Sequence, residues 1–508
     1  MENSLKKFAL ISVSDKTGII ELAVALSKKN YEILATGKTA KLLLDNSIHC
    51  VEISEFTSFP EIFSGRVKTL NPKIFGGILI RRDNESDINQ AKENDILPID
   101  IVCVNLYPFP QVVNRTDISV EEKIENIDIG GPSLIRAASK NYKFVSILTN
   151  PGQYASFLSE LESGEISLET RIKLASDAFA HTSFYDTLIA NFFEDNFELE
   201  RKDLRINLKF ASSMRYGENP HQEASLYGSF FDYFEILHGK EISYNNIIDL
   251  AAAVELVNDL SENSAVIIKH TNPCGAATAS SLYESYVNAL SCDPVSAFGG
   301  IVAFNGEVNE ELANKLNEIF LEIVVAPSFT EEALEILKSK KNRRIVKLIK
   351  TPDEEITYKS VPGGLVAQSK DSSKISKEQL KLVTKRNYSD NELEDILFAW
   401  IICKHTKSNA IVYVKDKKAI GVGAGQMSRI DSAKIAASKA KQFGHDLNGA
   451  VAASDAFFPF ADGLDEIAAN GIKAVIQPGG SVRDNEVIDA ADKHNITMVF
   501  SSIRNFKH

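Results

Sequence analysis

Over the first 150 residues, short apolar runs alternate with amphipathic segments. Residues 8–13 form an apolar run of strand length. A polar turn, Ser14-Asp15-Lys16-Thr17-Gly18, follows it, and 19–29 carry apolar side chains at helical spacing. The unit then repeats: a strand over 31–35, the turn Thr36-Gly37-Lys38-Thr39, and a short helix over 40–46. Further strands are predicted at 49–53, 101–106 and 144–148. Strands and helices in alternation predict a parallel sheet covered on both faces, with ligands at the carboxyl ends of its strands. A helical stretch from 153 to about 193 and a charged linker over 194–209 follow. The rest reads as α/β again, with buried strands at 265–269, 298–304, 450–453 and 474–477. Lys-His-Thr occurs at 269–271 and again at 404–406, each time after an apolar run, which suits two related α/β units. The basic run 338–344 reads as a solvated face.

Charge narrows the picture. With 56 basic and 69 acidic residues the formal net charge is −13, which disfavours a nucleic-acid binder but says nothing against one basic pocket for a small phosphate. The five cysteines, Cys50, Cys103, Cys274, Cys292 and Cys403, are widely spaced and form no CxxC, so neither a disulfide scaffold nor a structural zinc is expected. Without a signal-peptide core or an apolar stretch of membrane-spanning length, a cytoplasmic protein with no membrane partner is expected.

Three motif lookalikes fail. Gly37-Lys38-Thr39 lacks the leading glycine of a phosphate loop, since position 32 is Glu32. Gly421-Val422-Gly423-Ala424-Gly425-Gln426 lacks the last glycine of a dinucleotide fingerprint. His270-Thr271-Asn272-Pro273-Cys274 suggests a zinc deaminase, but Asn272 and Ala277 replace the glutamate and second cysteine that its chemistry requires.

Other segments bring chemistry together. The turns at 14–18 and 36–39 place hydroxyls and lysines at helix N-termini, where free N–H groups favour a phosphate; capping alone would explain either one. Arg66-Val67-Lys68-Thr69, Asn105, Tyr107 and Asp128-Ile129-Gly130-Gly131 extend this rim, and Arg136 and Lys140 share a helical face. Arg215-Tyr216-Gly217-Glu218-Asn219-Pro220-His221-Gln222 is a loop of the kind that builds sites. Lys269-His270 ends a buried strand, with Asn272-Pro273-Cys274-Gly275 read as the turn, and the pair could divide proton transfer. Ser454-Asp455-Ala456-Phe457-Phe458-Pro459-Phe460-Ala461-Asp462-Gly463 offers an aromatic slot with a carboxylate for a flat heteroaromatic ligand.

In this order, the segments GRVKTL (65–70), NLYPF (105–109), IDIGGPSLIRAASKN (127–141), RYGENPHQ (215–222), KHTNPCG (269–275), GAGQMSR (423–429) and SDAFFPFADG (454–463) resemble the bifunctional AICAR formyltransferase/IMP cyclohydrolase family of purine biosynthesis over nearly the whole chain. The resemblance implies a methylglyoxal-synthase-like parallel-sheet domain over 1–195, which cyclises FAICAR to IMP with loss of water. It implies a pair of cytidine-deaminase-like α/β units over 196–508, without zinc, which move a formyl group from the co-substrate 10-formyltetrahydrofolate to AICAR. It also implies a homodimer that acts on small molecules and has no catalytic metal.

Residue by residue, the implied IMP and FAICAR contacts are Ser14, Lys16, Thr36, Gly37, Thr39, Arg66, Thr69, Asn105 and Ile129. Lys68, Tyr107, Asp128 and Lys140 are the implied cyclisation residues, with proton transfer at Lys140. AICAR is expected at Arg215, Tyr216, Gly299, Glu322, Asn409, Arg429 and Arg504. Folate is expected at Ile430, Phe457, Asp462, Ser481 and Val482. His270 is the implied proton acceptor and Lys269 the donor to the folate nitrogen. Asn71 and Phe75 stand where the family commonly has histidines, and Lys38 where many members have glycine. A zinc nucleoside deaminase and a noncatalytic nucleotide sensor remain as rival readings of the residues.

Overall fold

The computed structural model describes residues 6–508. They fall into two compact units, one ending at Asn207 and one running Leu208–His508.

The first unit is built on five parallel strands, β1 (Lys7–Ser12), β2 (Tyr31–Ala35), β3 (Val51–Glu52), β4 (Ile101–Val104) and β5 (Ser146–Leu148), in the order β3-β2-β1-β4-β5. β1 and β4 read as unbroken apolar runs because both faces of the sheet are covered by helices. The strand order reverses between β1 and β4, and such switch points open a crevice at the carboxyl edge. β3 is shorter than the predicted 49–53, since Ile53–Thr57 already turns as a helix and only Val51 and Glu52 pair with β2. The predicted helical stretch is two helices, Tyr154–Ser163 and Leu168–Asn196.

The second unit opens with a hairpin, β6 (Phe210–Met214) and β7 (Ala224–Tyr227). Its main sheet has twelve strands. Six of them, β8 (Phe234–His238), β9 (Ser264–Lys269), β10 (Asn272–Thr278), β11 (Ile301–Phe304), β12 (Ile323–Ala326) and β13 (Arg344–Leu348), form one half. An exposed hairpin, β14 (Ile356–Val361) and β15 (Gly364–Ser369), intervenes. β16 (Lys381–Leu382), β17 (Ile411–Lys415), β18 (Lys418–Gly423), β19 (Val451–Ser454), β20 (Ala474–Gln477) and β21 (Thr497–Phe500) form the other half. The order β16-β21-β20-β19-β17-β18-β10-β9-β11-β12-β13-β8 is the same connectivity twice, reflected about the antiparallel β10–β18 seam.

Alternation along the strands divides the core. Val266, Ile268, Val412 and Val414 face one cluster shared by both halves, which also encloses Trp400. Ile267 and Ile411 face separate clusters on the other side. Gly275 allows the helix Leu282–Cys292 to pass so close that a Cβ would lie 2.0 Å from the Ala289 carbonyl oxygen. Two sequence expectations change here. His405 follows the C-terminus of the helix Asp390–Lys404, whereas His270 follows β9, so the repeated tripeptide does not mark equivalent positions in the repeated halves. The basic run 338–344 is not wholly solvated: Arg343 and Arg344 are buried, with Arg343 held by Asn317 and by the Leu316 and Ile319 carbonyls.

Candidate functional sites

In the first unit, six of the expected nucleotide contacts follow the carboxyl ends of three strands: Ser14 and Lys16 follow β1, Thr36, Gly37 and Thr39 follow β2, and Asn105 follows β4. The buried Asn105, just past β4, accepts hydrogen bonds on Oδ1 from the N–H groups of Ser14 (2.5 Å) and Asp15 (2.9 Å) and so fixes the first turn. Lys16 Nζ reaches back to the Val13 carbonyl (2.7 Å) and to Thr39 Oγ1 (3.4 Å), which joins the two turns. Burial and the neighbouring Lys38 push the Lys16 ammonium below the usual lysine range.

The helix of the second turn starts at Gly37, three residues earlier than predicted, so its first N–H groups lie within the turn itself. Thr36 is its N-cap residue but makes no capping bond; its hydroxyl pairs with Ser12 instead (2.9 Å). Gly18 likewise offers no side-chain cap to the helix Ile19–Lys28. The capping explanation therefore fails at both turns, and both helix starts keep donors for an anion.

Lys68 faces Glu61 (3.3 Å) and Arg66 makes a bidentate pair with Glu125 (2.7 and 3.0 Å), both pairs exposed. Asp128 accepts the Gly131 N–H (2.8 Å) at the start of the helix Gly130–Lys140. Burial raises its carboxyl pKa, while Lys68 pulls the other way. A Cβ on Gly130 would meet Thr69 Oγ1 at 2.8 Å, so Thr69 joins this group. Tyr107 and Ile129 are exposed on the rim. Lys140 stands at the opposite end of that helix from Asp128, about 15 Å along its axis at 1.5 Å per residue. Asn71 caps the helix Pro72–Leu79 through Lys73 N (2.9 Å), and Phe75 packs on the core.

In the second unit, a cavity of about 630 Å³ is lined by Arg215, Tyr216, Lys269, His270, Gly299 and Glu322 among others. β9 and β10 are joined by a two-residue turn made by His270 (φ 51°) and Thr271 (φ 62°). The residues read as that turn, Asn272 to Gly275, are instead the start of β10, with a register shift between Pro273 and Gly275. Lys269 Nζ donates to the carbonyls of Phe298 (3.1 Å) and Gly299 (3.0 Å). Gly299 has φ 68°, and a Cβ there would press within 3.2 Å of that ammonium, which accounts for glycine at this position. Glu322 pairs with Arg344 (2.7 Å), which also donates to the Glu241 carbonyl and lines the cavity. Arg344 was missed in the sequence because it sits inside the basic run.

Asn409, Arg429 and Arg504 do not line this cavity. Arg429 donates to Ser454 (3.1 Å) and to the buried Asp455 (3.0 Å), and Asn409 to the Gln426 carbonyl (2.8 Å). Arg504 lines a separate cleft of about 1290 Å³. The expected folate residues cluster in chain position near this second group. Ile430 is the second residue of the helix Arg429–Gln442, Phe457 and Asp462 follow β19, and Ser481 and Val482 follow β20. Phe457 and Val482 are exposed. The strand directions put both groups on one edge of the sheet, but β20 is five strands from β9, roughly 24 Å at ~4.8 Å per strand. Among the described residues, no group of three or more His, Cys, Asp and Glu side chains could hold a metal ion. No helix among them is long and apolar enough to cross a membrane.

The AICARFT/IMPCHase bienzyme family model matches residues 138–439, and an MGS-like domain matches 18–133. The chain belongs to the AICARFT/IMPCHase bienzyme family. It is a bifunctional AICAR formyltransferase and IMP cyclohydrolase of purine biosynthesis. Among its relatives, the bifunctional purine biosynthesis protein PurH of Persephonella marina is 50% identical over 515 residues, covering 98% of this chain and 99% of the relative. That of Chlorobium phaeobacteroides (strain DSM 266) is 50% identical over the full length of both. That of Bacillus cereus is 48% identical, covering 99% of this chain and all of the relative. A crystal structure of ForH is 35% identical with TM-score 0.34, covering 37% of this chain and 96% of that one. The family membership agrees with an MGS-like first unit and a mixed-sheet second unit, and it removes both rival readings.

Proposed function

We propose that the two activities occupy the two units, with FAICAR closing to IMP at the β1–β4 crevice and formyl transfer at the cavity beneath His270. The observation that carries this reading is the convergence of Lys269 and His270 on one cavity with Arg215, Tyr216, Gly299 and Glu322.

The 5-amino group of AICAR is a weak nucleophile, because its lone pair is delocalised into the ring and carboxamide. As it attacks the formyl carbon a C–N bond forms and His270 accepts the amine proton. As the bond from that carbon to the folate nitrogen breaks, Lys269 supplies that nitrogen with a proton. Positioning both reactants in one cleft provides much of the remaining barrier reduction.

In the first unit, the turns at 14–18 and 36–39 hold the phosphate. Lys68 and Tyr107 face the oxyanion formed when the carboxamide nitrogen attacks the formyl carbon. Asp128 lies beside them. Proton transfer by Lys140 is supported by the resemblance alone, given the length of helix between it and Asp128.

We further read each half of the twelve-stranded sheet as a deaminase-like unit; the repeated connectivity supports this. The separation of Asn409, Arg429, Arg504 and the folate residues from the cavity supports a homodimer in which a second copy supplies them, and a cytoplasmic location is part of the same reading. Purified protein given AICAR and 10-formyltetrahydrofolate should yield tetrahydrofolate and IMP. The same protein carrying His270→Ala should still close supplied FAICAR. Loss of both activities in a folded His270→Ala protein would overturn the division of labour.

A further inference from the structure

The turn that presents His270 is conformationally costly. Both of its residues lie in the left-handed region, and Thr271, being β-branched, is a genuine outlier there. Such a conformation persists only where the surroundings over-determine it. Here they do. Asp249, on the helix Tyr244–Asp259, accepts the Thr271 N–H on Oδ1 at 2.7 Å and itself lines the cavity. The His270 carbonyl is held by Thr271 Oγ1 (2.6 Å) and Asn272 Nδ2 (3.2 Å).

The second half of the sheet contains the same device without the chemistry. Its equivalent turn, Asp416-Lys417 between β17 and β18, is also left-handed at both residues (φ 56° and 51°). There Asp395, on the helix Asp390–Lys404, accepts both turn N–H groups, Asp416 at 2.9 Å and Lys417 at 2.6 Å. Asp249 and Asp395 are each the sixth residue of their helix. The repeat thus marks an aspartate clamp as part of the scaffold, and only one copy carries an imidazole on the clamped turn.

We propose that Asp249 is a positioning residue for formyl transfer, its carboxylate fixing the His270–Thr271 turn so that the imidazole addresses the cavity. This rests on the reading of His270 as proton acceptor. The test compares Asp249→Ala, Asp249→Asn, Asp395→Ala and His270→Ala in steady-state formyl transfer, with thermal melting followed by circular dichroism.

Asp249→Ala should lower kcat at least tenfold while changing the KM for AICAR less. Asp249→Asn keeps an oxygen acceptor and should recover to within threefold of wild type. Asp395→Ala should lower the melting temperature, as Asp249→Ala does, yet keep kcat within twofold. A kcat within twofold of wild type for Asp249→Ala would overturn the inference; so would an asparagine variant as impaired as the alanine one, or an equal loss from Asp395→Ala. If Asp249→Ala does not fold, Asp249→Glu, which displaces the carboxylate by one methylene, takes its place with an expected fivefold or greater fall in kcat; an unchanged kcat there overturns the inference too. Activity retained by His270→Ala would sink the underlying reading. Activity lost in His270→Ala but intact in Asp249→Ala would sink only the clamp.

Discussion

The site proposed for the first unit is built mainly from backbone, the one proposed for the second from side chains. At the β1–β4 crevice two uncapped helix starts and the Asn105-braced turn are already in place, and the lysines add charge to donors that exist without them. In the cavity of the second unit the imidazole of His270 stands on a strained turn and the ammonium of Lys269 on the strand that leads into it. The first arrangement should tolerate side-chain loss and the second should not.

The sharpest way to break this contrast is His270→Ala. Formyl transfer should fall by about 10³-fold, in the range expected for loss of a general base, with cyclisation of supplied FAICAR within twofold of wild type. Kinetics on the two separately supplied substrates would check it. The matching deletion in the first unit, Lys16→Ala, should weaken IMP binding only about tenfold by isothermal calorimetry, because the helix-start donors remain. A loss of a thousandfold would show that the lysine, and not the backbone, holds the phosphate.

The second unit also depends on paired charge for stability. His405 and Lys404 pull the Asp259 carboxyl down to about 2 despite its burial. A carboxylate held below its unfolded value of 3.8 stabilises the fold above that pH, and the contribution drains away as the pH falls from about 4 to 2. Melting curves should show a loss on the order of 2 kcal/mol across that window, absent in Asp259→Asn. The smallest expected effect is at Lys38, whose exposed charge adds to the crevice. Lys38→Gly should weaken IMP binding about threefold at low salt, and by less in 0.5 M salt, because exposed charge is screened.

What could be read in the sequence follows the same line. The apolar runs of β1, β2 and β4 and the polar turns after them are local signals, so these strands and turns were legible from the order of residues. The His270 turn was not. Asn272, Pro273 and Gly275 are turn formers by type, but Pro273 lies at a strand irregularity and Gly275 answers to a helix passing behind it, while histidine and threonine carry no signal for a left-handed turn. Arg344 was hidden for a similar reason: a basic run looks solvated until Glu322 and the Glu241 carbonyl are brought to it from distant positions. The hairpin β14–β15 carries Ile356, Tyr358, Val361, Leu365 and Val366, yet all of its residues are exposed, so its apolar positions mark no buried face.

Trp400 is the chain's one tryptophan, and it is almost wholly enclosed in the cluster that both halves of the large sheet build together. Its ultraviolet emission is therefore a native optical gauge of the union of those halves. It stays blue while they are joined and shifts red when water enters, and no label is needed to watch the repeat come apart.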